Sequence, residues 1–90
     1  GPSGAALERV IGLELEVVKE PRRRAQLFTE LGNLLRAEKP QLALEAFFNA
    51  LQQNPKSRPA LDAVEALAKQ TGTPEKLAQA AKIIHAEPAA

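Results

Sequence analysis

Four prolines frame this chain: Pro21, Pro40, Pro59 and Pro74 recur at intervals of 15 to 19 residues. Proline lacks the N–H that an interior helical residue must donate. In a helix's first turn that donor has no partner anyway, and the fixed φ suits a helix start. Each of the four therefore reads as the opening of a short helix, with a tight connection before the next. The apolar residues are mostly Leu, Ala, Val and Ile, with three Phe and no Trp, Tyr or Met, which favours helix over a sandwich of strands. The expected fold class is all-α, with about five helices.

Apolar spacing fills in the frame. A helix is expected from about Arg22 to Ala37, with Phe28, Leu31 and Leu35 on one stripe and Leu27 and Leu34 widening it. The next runs from about Gln41 to Gln53, where Ala43, Ala46, Phe47, Ala50 and Leu51 share a face that Leu44 and Phe48 extend; Asn54-Pro55 ends it. Ser57 suits the N-cap of a fourth helix, with stripe Leu61, Val64, Leu67 and Ala68, and Gly72 suits its left-handed terminus. Thr73 is expected to cap a fifth helix with apolar face Leu77, Ala80, Ala81 and Ile84. Phe47 is expected in the core, and Phe48 either packs in the core too or faces a next layer, the first helix or a neighbouring molecule.

Residues 5–20 carry two competing patterns. Leu7, Val10, Ile11 and Val18 fit a helix that Ser3 would cap, whereas Leu13-Glu14-Leu15-Glu16-Val17 alternates like a strand. A lone strand would need a partner from another molecule.

Helices two and four correspond at an offset of 33 residues, Phe28 with Leu61 and Leu31 with Val64. Phe28, Leu31, Gly32 and Leu35, followed by Ala43, Phe47, Ala50 and Pro55, resemble the tetratricopeptide repeat, with Leu35 where that family has an aromatic residue and a join one residue short at Glu38-Lys39-Pro40. The second unit departs further. Leu61 and Gly72 fit, but Glu65 replaces a Gly, and Leu77, Ala81 and Ile84 replace the small-aromatic-small series. The resemblance implies an α-solenoid of antiparallel hairpins. Residues 1–4 would be a flexible tag remnant, 5–20 a helix closing a preceding repeat (or a strand), 22–55 the first repeat, 57–86 a degenerate second repeat and 87–90 a flexible tail. It also implies a concave groove lined by Gln26, Thr29, Glu30, Asn33, Arg36 and Ala37 from the first unit. Pro59, Asp62, Ala63, Ala66, Lys69 and Gln70 would line it from the second. A family subtype clamps a partner's carboxylates with Lys and Asn. Asn33 matches, but Thr29 and Ala66 stand at the other two places, so that clamp is not expected.

Charge and chemistry narrow the function. Twelve basic and 11 acidic residues give a net charge of +1, which provides no long-range pull on nucleic acid or an anionic membrane. Arg22-Arg23-Arg24 reads either as a contact for an acidic partner or as solvated charge paired with Glu16 and Glu20. Without Cys, thiolate metal sites and cysteine nucleophiles are excluded. His85 stands alone, no nucleophile–base grouping or phosphate loop is present, and no cofactor is implied. The expected function is non-enzymatic binding of a protein partner through the groove, with self-assembly of a larger scaffold as the alternative. A homo-oligomer fits the second, and neither nucleic acid nor membrane is expected as partner.

Overall fold

A computed structural model describes residues 2–86 of the chain, and side-chain exposure from Gly4 onward. Five helices account for most of it: α1 (Pro2–Val17), α2 (Pro21–Leu35), α3 (Pro40–Gln53), α4 (Arg58–Thr71) and α5 (Glu75–His85). The described residues contain no strand, so the fold is all-α. None of these helices is long and apolar enough to cross a membrane. Residues 2–4, expected to be flexible, form the first turn of α1, where Pro2 is tolerated. Ser3 thus lies inside the helix it was expected to cap. Residues 87–90, the expected tail, lie outside the described residues.

The proline frame holds locally. Pro21 and Pro40 are the first residues of α2 and α3, and Pro59 is the second of α4. Ser57 caps α4, its side chain accepting from the Ala60 N–H at 3.4 Å. Gly72 ends α4 at φ 66 and ψ 36. The Thr73 N–H reaches back to the Ala68 carbonyl at 2.9 Å and the Gly72 N–H to that of Lys69 at 3.3 Å, closing the helix with two of its orphan acceptors satisfied. Thr73 does not cap α5 through its side chain. Thr71 gives its hydroxyl proton to the Leu67 carbonyl at 2.8 Å, and the Thr73 hydroxyl pairs with Thr71 at 2.6 Å, so Pro74 occupies the N-cap position of α5. α2 stops at Leu35, two residues before the expected end, and residues 36–38 turn toward Pro40.

The core is organised on α3. It buries Ala43, Leu44, Ala46, Phe47, Ala50 and Leu51, and touches α2, α4 and α5. α4 contributes Ala60, Ala63, Val64, Leu67 and Ala68, α2 contributes Ala25 and Leu27, and α5 contributes Ala80. Phe28, Leu35, Phe48, Leu61, Leu77 and Ile83 pack around the main cluster of these residues, to which Leu27, Ala46 and Ala68, though buried, do not belong. In α5, Ile83 takes the inward place expected of Ala81, which is exposed; α5 packs on α3 as well as α4, and its buried face is turned accordingly. Phe48 packs against the core with the Lys76 ammonium 5.9 Å from its ring centre, so it faces α5.

The closest approach is between α2 and α3. A Cβ added at Gly32 would lie 2.6–2.7 Å from three ring carbons of Phe47, which is itself fully buried. Only a hydrogen fits there. On the same face of α2 the Arg36 guanidinium stands 5.6 Å from the centre of the Phe47 ring.

α1 is a helix, and its geometry explains the strand-like pattern in its sequence. Gly4, Glu8, Ile11, Leu15 and Val18 form the partly or fully buried side. Ala6, Val10, Leu13 and Val17 form an exposed stripe on the far side, about 150° round the helix. Two apolar stripes on opposite faces interleave, so residues 13, 15 and 17 alternate with glutamates as in a strand. Ile11 is the only α1 residue among those described that is fully buried.

Gly32→Ala is expected to destabilise the domain by about 1–2 kcal/mol, the overpacking against Phe47 outweighing the better helix propensity of Ala. Gly12→Ala, where a Cβ meets nothing within 4 Å, is expected to stabilise it by about 0.5–1 kcal/mol. Urea denaturation of both variants measures the contrast.

Candidate interaction surfaces

Helical spacing puts Arg22, Gln26, Glu30 and Asn33 on one exposed side of α2, with Thr29 half-buried at its edge. The α2 side meets the start of α4 in an open cleft of about 470 Å³ lined by Arg22, Ala25, Gln26, Thr29, Glu30, Asn54, Ser57 and Pro59. Three residues expected in a groove, Gln26, Thr29 and Glu30, are thus brought together, and Pro59 joins them. Their hydrogen bonds stay within α2: Gln26 accepts from Arg23 at 3.2 Å and Thr29 donates to the Ala25 carbonyl at 2.8 Å. The Gln26 amide donors and the Glu30 carboxylate remain turned to solvent. Asn54 and Ser57, whose sequence signal is that of a helix end and a helix cap, enter this cleft because the α3–α4 turn folds beside α2.

The other expected groove residues are distributed differently. Asn33 lines a second recess, between α1 and α2, with Leu7, Val10, Ile11 and Leu34, and Glu30 borders both this recess and the cleft. It accepts from Arg36 at 3.2 Å, and Arg36 in turn covers Phe47, so Arg36 is tied to the core as well as to the surface. Ala37 lines a third recess with Gly4, Ala5 and Glu8. Asp62, Ala66, Lys69 and Gln70 are exposed on α4 and line none of these three recesses; Asp62 pairs with Arg58 at 3.5 Å on the open surface. Ala63 cannot line a groove, because it is buried in the core against the neighbouring helices.

The arginine cluster divides. Arg22 is exposed in the cleft. Arg23 pairs with Glu14 at 3.1 Å, not with Glu16 or Glu20, because Glu14 is the carboxylate that α1 turns toward α2. Arg24 donates from one nitrogen to the carbonyls of Leu15 at 2.6 Å and Val18 at 2.9 Å, and its guanidinium lies 5.6 Å from the Phe28 ring centre. Three cations at the start of α2 oppose that helix's dipole. Arg24 offsets part of the cost by satisfying carbonyls at the negative end of α1. Two of the three arginines therefore fasten α1 to α2.

The largest apolar exposure also belongs to α1. Val10, Leu13 and Val17 are 51%, 58% and 73% exposed. Among the described residues no three of His, Asp and Glu gather as a metal site, and His85 sits exposed in the last turn of α5. No family model, curated protein or solved structure matches the chain.

Arg24→Met should cost about 1–2 kcal/mol, because two charged hydrogen bonds to part-buried carbonyls are lost while the aliphatic stem is kept. Arg22→Met should change stability by less than about 0.5 kcal/mol. Chemical denaturation with exchange rates of α1 amides separates the two.

Proposed function

We propose that this chain is a non-enzymatic protein-interaction module of the tetratricopeptide-like kind. In this reading α2 with α3, and α4 with α5, are antiparallel hairpins stacked as an α-solenoid, and a partner segment lies along the concave side. Support for the architecture comes from the Gly32–Phe47 contact, where a helix pair closes on a position that admits no side chain. Packing follows chain order in the same way: α2 on α3, α3 on α4, α4 on α5.

The observation that carries the functional reading is the α2–α4 cleft. Gln26 and Glu30 present amide donors and a carboxylate to it, free of partners outside their own helix, beside the rigid Pro59. An extended peptide offers main-chain acceptors and donors that such groups can bond. The exposed α4 residues Asp62, Ala66 and Lys69 would lengthen the surface past the cleft. Arg22, open to solvent at the rim, would favour an acidic residue in the ligand.

A second reading, self-association of a scaffold segment, is favoured by the uncovered apolar stripe of α1.

Selection of a displayed random-peptide library on the chain tests the leading reading. Selected peptides should bind the variant Gln26→Ala, Glu30→Ala, Asp62→Ala, Lys69→Ala roughly tenfold or more weaker, with its thermal midpoint unchanged. Arg36 is left intact because it packs on Phe47. No enrichment of any peptide, or equal binding to the variant, would count against the concave side as a binding surface.

A further inference from the structure

The exposed stripe of α1 has the spacing and charge of a self-complementary helix contact. Ala6, Val10, Leu13 and Val17 follow one another at 4, 3 and 4 residues, the rhythm of a two-helix seam. The stripe lies about 150° round α1 from its buried side, with Val10 alone also bordering the α1–α2 recess, so a second helix can lie along it beside α2. Arg9 and Glu16 flank it on one side, both exposed and without an ion-pair partner among the described residues.

We infer that a second copy of this chain covers the stripe, with the two α1 helices antiparallel about a twofold axis between Val10 and Leu13. In that register Val10 meets Leu13 of the other copy and Ala6 meets Val17, each contact occurring twice, as a twofold interface requires. Arg9 lies against Glu16 of the other copy, also twice. Antiparallel order is selected by the charges. A parallel pair would set Arg9 against Glu14, which is already held by Arg23 at 3.1 Å, and would align the two helix dipoles unfavourably. The apolar layers, two valines and a leucine with an alanine opposite the end valine, fill a narrow seam without a buried polar group. With four seam residues per copy, the contact is smaller than the roughly 800 Å² per partner of a standard interface, so the dimer is a weak, reversible one. The proposal gives the self-association reading its surface and geometry, and it is independent of the concave side.

Sedimentation equilibrium of the intact chain, from low micromolar to millimolar concentration, tests it with three variants. The wild type should shift from monomer to dimer across that range. Leu13→Lys, at a position already 58% exposed, should keep its helical circular dichroism and weaken the dimer roughly tenfold or more. Arg9→Glu should weaken it a few-fold, and Arg9→Glu with Glu16→Arg should restore it, because the swap preserves the antiparallel pair but sets like charges together in a parallel one. A wild type monomeric throughout overturns self-association and this interface together. A dimer untouched by Leu13→Lys overturns the α1 interface alone, leaving self-association through another face. A dimer weakened by Leu13→Lys but not restored by the swap overturns the antiparallel register.

Discussion

The absence of a side chain at Gly32 is the constraint on which the rest of the structure depends. It lets α2 settle on the ring of Phe47, where a single added carbon would stand 2.6 Å from it. With the ring seated, the faces of α3 on either side of it are committed, Ala43, Ala46 and Ala50 among them, and these small residues bring its neighbours close. Arg36, one helical turn after Gly32, closes over the ring from the same helix. A burial of this kind stabilises by shape as much as by area, since a truncation at a fully buried Phe typically costs about 3–5 kcal/mol.

How much was legible in the sequence follows from the range of the interactions. Proline, serine and glycine act within a turn of where they stand, so the openings at Pro21, Pro40 and Pro59, the Ser57 cap and the left-handed Gly72 could be read directly. The α3 face was legible because it is buried on one continuous stripe. In α5 one expected residue of four, Ala81, lies outside the inward side and Ile83 lies in it, because two helices, not one, set that side. α1 was ambiguous because it has two apolar faces, and a periodicity argument assumes one. The role of Arg24 was out of reach, since its partners are backbone carbonyls of Leu15 and Val18 and leave no trace in residue types.

The candidate sites show the same division. Gln26, Thr29 and Glu30 share a cleft because a helix repeats its faces. Asn54 and Ser57 join them through a turn whose path no local pattern specifies. Arg23 and Arg24 read in the sequence either as a partner contact or as solvated charge paired with Glu16 and Glu20, and instead they hold α1 to α2 through Glu14, Leu15 and Val18. That attachment is to one helix: α1 packs on α2, has Ile11 as its one buried side chain among those described, and stands outside the main apolar cluster. The molecule is therefore a tight body of α2 to α5 with a more loosely held helix on one side, and that helix carries the open apolar stripe.

Amide hydrogen exchange followed along the chain at several protein concentrations tests this account most directly. The slowest amides should lie in α3 around Phe47 at every concentration, since they open only with the whole domain. Those of α1 should exchange faster in dilute solution and slow as concentration rises. An α1 as protected as α3 at the lowest concentration, and indifferent to it thereafter, would contradict both the loosely held helix and the stripe as a contact between copies.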